Sequence, residues 1–430
     1  MKVTLMSDSD VRGGANVAAY RLHVGLRQDC VDSQMLVRRR FSEDASVRSI
    51  STIPYRWRFL SRALTRWHQR EVKRHRLGSS CDTFSSPHAS FANIDRHCAG
   101  SDIINMHWVT FFLDLPTVLS RLTSMVPVAW TLHDMNAFTG GCHYSGPCDR
   151  YRSVCERCPE LNSDRSDDLA NSIFRKKVDY YSRLDPERFC LVAPSRWLQQ
   201  ASQESVLLSR FQCAHIPYGV DTRLFSPGDR VACRARWNLP PDKFVLLFVA
   251  SSTSNHRKGL DLLIASMKML KNTNDVVCLC VGDAPPQGLS SSITVQCTGV
   301  LRTPADMAMA YNAADVLVVP SRQDNLPNTI LESLACGTPV IGFAVGGIPD
   351  MVRDGETGYI CEDPNSFELA KKIELVRDES AEGVDFSSSC RRVALDEYRL
   401  EIQSAAYKRF FEERIQAFAS AKEKATTNRG

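Results

Sequence analysis

The sequence has no long apolar run. Nowhere among its 430 residues does an uninterrupted apolar stretch reach bilayer-spanning length, which excludes an integral helical membrane protein. The opening "MKVTLMSDSD" breaks its short apolar run with acids, so no secretory leader is expected there. Charge bias is small as well: the formal net charge of +4 gives no electrostatic case for nucleic acid. Low-complexity tracts and short-period repeats are missing, which excludes solenoid arrays. The 16 cysteines are spread over a long chain without a leader. They read as thiols in a reducing compartment, and we expect a cytoplasmic protein.

What is present is length and rhythm. A chain this long exceeds one ordinary core and predicts more than one domain. "KVTLMS" reads as a strand, "DSDVRGGAN" as a loop and "VAAYRLHVGLR" as a helix. Further strands follow at "SDIINMHW", "VPVAWTLHD" and "FCLVAPSRW". The punctuated "HIPYGVDTRLFSPGD" reads as a hinge, after which "FVLLFVAS", "VVCLCVGD", "ITVQCTGV", "ADVLVVPS" and "TPVIGF" restart the strands between helical patterns. This alternation predicts two α/β halves, each a doubly wound parallel sheet. We expect domains at 1–217, with a Cys-rich insertion at about 142–168, and at 218–395, followed by a helical segment at 396–430 that crosses back to the first half. Two such sheets facing each other would enclose a cleft at the carboxyl ends of their strands, where ligands bind.

The segment "ADVLVVPSRQDNLPNTILESLACG" carries chemistry. A strand ends near Pro320, Asn328 is the expected N-cap, and the helix stops at Gly337. The helix N-terminus is a phosphate site in waiting. Asp324 and Glu332 beside it would repel phosphate, so they should accept hydrogen bonds from hydroxyls instead. Phosphate plus two sets of hydroxyls suggests a nucleotide sugar. Taken alone, the segment can also be read as a capped surface helix with solvated acids. Arg257-Lys258-Gly259 precedes another helix and can meet a diphosphate, or is a solvated basic turn. Gly346-Gly347 would let backbone approach a ligand. Gly13-Gly14 precedes the first helix but lacks the G-x-G-x-x-G pattern, which disfavours a nicotinamide cofactor.

These motifs resemble the retaining, nucleotide-sugar-dependent glycosyltransferases of the glycogen synthase and mannosyltransferase type, which have the GT-B fold of two Rossmann-like domains around a cleft. The signature of an acid, seven residues and Glu, then A-x-G-x-P-V, falls on Asp324, Glu332, Ala335, Gly337, Pro339 and Val340. "GVDTRLFSPGD", "RKGLDLL" and "GGIPDMVRDGETGY" extend the resemblance over nearly the whole chain. "RLHVGL" and "WTLHDMNAFTGGCHY" are similar to the branch that builds surface polysaccharides. The resemblance implies that Glu332 binds the donor ribose and Asp324, one methylene shorter than the usual Glu, binds the donor sugar. Lys258 with Arg257 would neutralise the diphosphate. Backbone from Leu326 through Pro327 and Asn328 to Thr329 would contact phosphate or sugar, and Thr298, Gly299 and Val300 would line the base pocket. Gly13 and Gly14 would reach the donor, and His133 would lie near the reaction centre, with His107 and Asp134 on the acceptor side. UDP-sugar and GDP-mannose are both admissible donors. The acceptor would be a glycan or a lipid-linked glycan. No D-x-D triplet is recognised beside a strand end, and the fixed cations make a catalytic metal unnecessary. A nucleotide-sugar epimerase and a non-catalytic binding protein of the same architecture remain the alternatives.

Two features stand outside this scheme. Cys142, Cys148, Cys155 and Cys158 include a C-x-x-C pair and could close a structural tetrahedral zinc site, or are unligated loop thiols. Residues 55–77 carry eight Lys or Arg against one acid, with Trp57, Leu60, Leu64 and Trp67 at helical spacing. That pattern fits a helix lying on the inner face of an anionic membrane, or one packed on the N-terminal sheet with its basic face in water.

Overall fold

A computed structural model describes residues 1–50, 70, 83–85, 94–110, 112–285 and 294–427. The chain divides into two compact units, Met1–Pro217 with Gln403–Gly430, and Tyr218–Ile402. The basic segment 55–77 lies, Arg70 apart, outside the described residues. Among the described residues no helix is long and apolar enough to cross a membrane.

The first unit is built on seven strands: β1 (Lys2–Ser9), β2 (Asp32–Arg39), β3 (Val47–Ser49), β4 (Ile103–Met106), β5 (Val128–Thr131), β6 (Phe189–Ala193) and β7 (Cys213–His215). Their order is β3-β2-β1-β4-β5-β6-β7, and every pairing is parallel. Strands β4, β5 and β6 are buried along their whole length, as expected for a parallel sheet covered on both faces. On one face, Leu22 and Leu26 of the helix Gly14–Gln28 pack with Tyr407, Phe410 and Phe411 of the closing helix Leu400–Thr427. Tyr407 also shares a 2.9 Å hydroxyl–hydroxyl hydrogen bond with Thr131 at the end of β5. The opposite face is covered by a cluster that includes Leu119, Leu122, Phe174, Tyr181 and Phe211.

The second unit has six strands: β8 (Phe244–Val249), β9 (Val276–Val281), β10 (Thr294–Gly299), β11 (Val316–Val319), β12 (Val340–Phe343) and β13 (Gly358–Cys361). They run in the order β10-β9-β8-β11-β12-β13, again all parallel. In each sheet the chain winds outward from the first strand, then returns to wind the other way. The reversal lies between β1 and β4 in the first unit and between β8 and β11 in the second. Loops at the carboxyl ends of those strands diverge and leave room for a ligand.

Sequence periodicity does not single out β2, β3, β7 and β13. Strands β3 and β7 have three residues each, too few to show a period, and β2 mixes buried Met35, Leu36 and Val37 with exposed arginine. The Cys-rich segment lies between β5 and the helix Leu169–Ser182 and contains only the short 3-10 turns Arg150–Arg152 and Pro159–Leu161.

Candidate functional site

In the second unit three loops converge on Asp324. The first follows β8 and contains Arg257 and Lys258. The second follows β11 and contains Asp324 itself. The third follows β12 and contains Gly346 and Gly347. Two glycines make the convergence possible. Gly259 has φ +70°, and a Cβ there would collide with the carbonyl oxygen of Pro320. Gly346 has φ +56°, and a Cβ there would collide with the carbonyl oxygen of Asp324. Both positions combine a left-handed backbone with direct backbone contact, which only glycine permits. The Gly347 N–H donates to Asn325 O at 2.8 Å and closes the contact. The Gly346-Gly347 pair thus brings its backbone against the Asp324 loop.

Asp324 is 7% exposed and is held by side chains from its own loop and its neighbour. Lys258 Nζ donates to its Oδ2 at 2.6 Å, Ser321 Oγ donates at 3.2 Å, and Arg257 Nη1 stands at 3.4 Å. Arg257 also donates to Gln323 O at 2.7 Å. Arg322 pairs with Asp261 and donates to His256 O, lacing the same two loops from outside. Burial works to raise the Asp324 pKa, but the charges of Lys258 and Arg257 and the hydrogen bonds outweigh it and hold the carboxyl below its ordinary value.

Glu332 sits one turn inside the helix Asn328–Ala335, is 7% exposed, and accepts a 2.7 Å hydrogen bond from the Tyr311 hydroxyl. Sequence reading passed over Tyr311. Its signal is a lone hydroxyl in the Ala- and Met-rich helix Pro304–Ala313, since a buried tyrosine needs a partner. The expected N-cap is corrected. Pro327 occupies that position and offers no side-chain cap, while Asn328 is the first helical residue. The fixed φ of proline suits entry into a helix, so the first turn keeps its N–H groups free of a side-chain cap. Leu326 and Pro327 are buried and Thr329 is half-buried. Thr298, Gly299 and Val300 lie at the same carboxyl edge, at the end of β10, three strands from β11. Gly299 O accepts from Gly282 N–H, and Val300 is half exposed.

In the first unit the carboxyl ends of β1, β4 and β5 carry the remaining candidates. Gly13, with φ +88°, is the N-cap of the first helix, and Gly14 is that helix's first residue. Asn16 braces this loop, accepting from Ser7 Oγ at 2.6 Å and donating to Arg12 O at 2.7 Å. A D-x-D triplet does stand at the end of β1, as Asp8-Ser9-Asp10, contrary to the sequence reading. Its acids are engaged within the protein: Arg38 and Arg39 donate to Asp8, and the amides of Val11, Phe41 and Ser42 donate to Asp10.

His133 follows β5 and His107 follows β4. His107 Nδ1 and His133 Nε2 share a hydrogen bond of 3.0 Å. Burial pushes the His133 pKa down to about 4, against the opposing charge of Asp134. Burial, then repulsion by His133, depresses His107 well below the ordinary value. The pair is therefore neutral at pH 7, with one ring donating and the other accepting. Asp134 accepts from His143 Nδ1 at 2.6 Å, Trp108 Nε1 at 2.9 Å and the amide of Asn136 at 2.9 Å. It serves here as the hub of a buried network rather than as a solvent-facing acid.

The four cysteines line one cavity of about 20 Å³. Among the described residues, no group of three or more His, Cys, Asp or Glu side chains already stands in metal-holding geometry.

Two parallel-sheet Rossmann-like units, each carrying candidate residues at the carboxyl ends of its strands, define the GT-B fold. Solved structures that share it include sucrose-phosphate synthase from Thermosynechococcus elongatus, with a TM-score of 0.66 over 97% of this chain and 100% of that one at 20% identity. Anabaena HepE in complex with UDP-glucose gives 0.63 over 96% and 100%, at 17% identity. Residues 243–378, which include Lys258, Asp324 and Glu332, match the family described as glycosyl transferases group 1. The second unit thus carries a glycosyl transferases group 1 domain. The D-inositol 3-phosphate glycosyltransferase of Geodermatophilus obscurus is 33% identical over 284 residues, 61% of this chain and 57% of that protein. The protein of the same name from Segniliparus rotundus is 36% identical over 159 residues, 34% and 35% of the two chains. The chain thus spans about half the length, or less, of the curated relatives it matches.

Proposed function

We propose that the protein is a retaining glycosyltransferase that moves a hexose from a nucleotide-diphosphate sugar to a glycan or lipid-linked acceptor in surface polysaccharide biosynthesis. The reading is carried by one arrangement: buried Asp324 and Glu332, eight positions apart, flank the start of a helix, and Asp324 lies beside Lys258 and Arg257. In this scheme Glu332 accepts hydrogen bonds from the donor ribose and Asp324 from hydroxyls of the donor sugar. The amides of the first turn from Asn328, together with Lys258 and Arg257, offset negative charge as the nucleoside diphosphate leaves an oxocarbenium-like centre. Each such fixed group contributes about 10²–10³-fold in rate. His133, a neutral imidazole, offers a hydrogen bond on the sugar side. Gly13 and Gly14 bring backbone to the donor, and Thr298, Gly299 and Val300 border the base.

The named substrates of the relatives direct the test. Radiolabelled UDP-sugars and GDP-mannose are incubated with the chain and either a lipid extract or D-inositol 3-phosphate. Transfer to lipid with an unchanged anomeric configuration supports the proposal. Transfer to inositol phosphate alone keeps the reaction class and overturns the acceptor. Conversion of the donor sugar without a new glycosidic bond favours an epimerase. A thermal-shift screen without response to any nucleoside diphosphate would sink the donor site, because a ligand at 100 times its Kd adds about 2.7 kcal/mol.

A further inference from the structure

The Cys-rich segment between β5 and the helix Leu169–Ser182 plays no part in the proposed transfer, yet it is built with care. Cys142, Cys155 and Cys158 are each less than 10% exposed, Cys148 is half-buried, and all four reach the same cavity. At about 20 Å³ the cavity has room for a water-sized body. The sulfurs are met by backbone donors. The Gly140 N–H donates to Cys155 Sγ at 3.2 Å, and the N–H groups of Glu160 and Leu161 hydrogen-bond to the Cys158 sulfur. Burial pushes the Cys155 and Cys158 thiols up, to about 11 and about 12, and these N–H groups oppose that shift only in part.

The surroundings answer the charge such sulfurs would carry. Lys177 is 2% exposed and donates to the carbonyl oxygens of Asn136 and Thr139; burial pushes its pKa down to about 8, with Cys155 and Cys142 opposing that shift. Among the lining residues, Arg150 adds a second cation, while Glu156 and Glu160 oppose it. The same helix that carries Lys177 fixes the C-x-x-C turn from behind. Asp168 at its N-cap accepts from the Cys158 N–H at 2.8 Å, and Asn171 donates to Cys155 O at 3.3 Å. Such outer supports orient metal ligands in known centres.

We infer that Cys142, Cys148, Cys155 and Cys158 bind a single structural zinc ion. Four thiolates around a divalent ion leave a net negative charge, which the nearby Lys177 would offset in part. The four cysteines line the cavity without standing in metal-holding geometry, so binding requires their sulfurs to draw together. A closed Cys₄ shell leaves no open position, so the ion anchors the segment and takes no part in transfer.

The full-length chain, purified under reducing conditions without chelator, is expected to hold about one zinc per chain by elemental analysis. Titration with p-hydroxymercuribenzoate should release that zinc in step with thiol modification. Cys148→Ser, at the least buried of the four, should lower zinc affinity by about tenfold or more. Because this variant could also misfold, the wild-type chain exchanged with cobalt(II) gives an independent readout, the absorption of a tetrahedral thiolate site. The inference is overturned by a folded chain that takes up neither zinc nor cobalt, by iron in place of zinc, or by a disulfide among the four cysteines. It is equally overturned if the four thiols react with a chromogenic disulfide at the same rate with and without added zinc.

Discussion

Lys258 Nζ lies 2.6 Å from Asp324 Oδ2, so the residue assigned to the donor diphosphate and the one assigned to the donor sugar are bonded to each other. Asp324 is therefore the resident counter-ion of Lys258, with Arg257 second at 3.4 Å. Replacing Lys258 by Met keeps most of the stem and removes the charge. We expect kcat/KM to fall about 10²–10³-fold. Stability should fall by about 1–3 kcal/mol, since a buried carboxylate loses its shortest bond. Steady-state kinetics and urea unfolding on the same preparation check both numbers, and full activity in Lys258→Met would remove the residue from the mechanism.

Gly346→Ala should cost more than a left-handed backbone alone. Gly355 supplies the control: its φ is +75°, yet a Cβ there would meet nothing within 4 Å. Gly355→Ala is expected to cost about 1–2 kcal/mol. The added collision with Asp324 in Gly346→Ala should bring the loss to about 2–4 kcal/mol. Equal urea midpoints for the two variants would contradict the close approach.

Tyr311→Phe removes a hydroxyl that donates to Glu332 and leaves the ring's packing against Phe225 in place. The loss in stability should be about 0.5–1.5 kcal/mol. If Tyr311 fixes the Glu332 carboxylate for the ribose, the variant should also discriminate less between a nucleoside diphosphate and its 2′-deoxy analogue. Calorimetric titration with both ligands measures that difference.

Acid should act first on the first unit. Burial pushes His23 and His133 down to about 4, with Asp44 and Asp134 respectively opposing and Arg27 adding to the shift at His23. Burial and His133 drive His107 lower still. Unfolded histidine titrates near 6.5, so between about pH 6.5 and 4 the unfolded chain binds protons that the fold refuses. The stability these groups contribute is full above pH 6.5 and is lost as the pH falls through that window. The second unit contains His256 as its sole histidine. Amide exchange in β4 and β5 should therefore accelerate over this range well before exchange in β8 and β11.

Much of this architecture was readable from residue order. Strands such as "FVLLFVAS" and "VVCLCVGD" are buried on both faces, so their composition alone announces them. The spacing of Asp324 and Glu332 likewise places one acid in the loop and the other on the helix that follows. What stayed hidden was pairing across the sequence. Nothing local in "PSRQD" tells that Lys258, 66 residues earlier, reaches its aspartate. The "GGIP" pair signals close approach but not to what, and the answer is the Asp324 carbonyl. The D-x-D at the end of β1 shows the converse. Its motif is legible, but its engagement by Arg38 and Arg39 depends on β2, a strand whose pattern is weak.

The loops around Asp324 are specified by side chains that are missing. At position 324 a variant changes the chemistry offered to a ligand while the backbone frame can stay as it is. At positions 259 and 346 any side chain displaces the frame itself. A saturation screen for altered donor choice should therefore yield its functional variants at 324 and almost none at the two glycines. The residues with no functional groups are the ones that set how freely this site can be re-tuned.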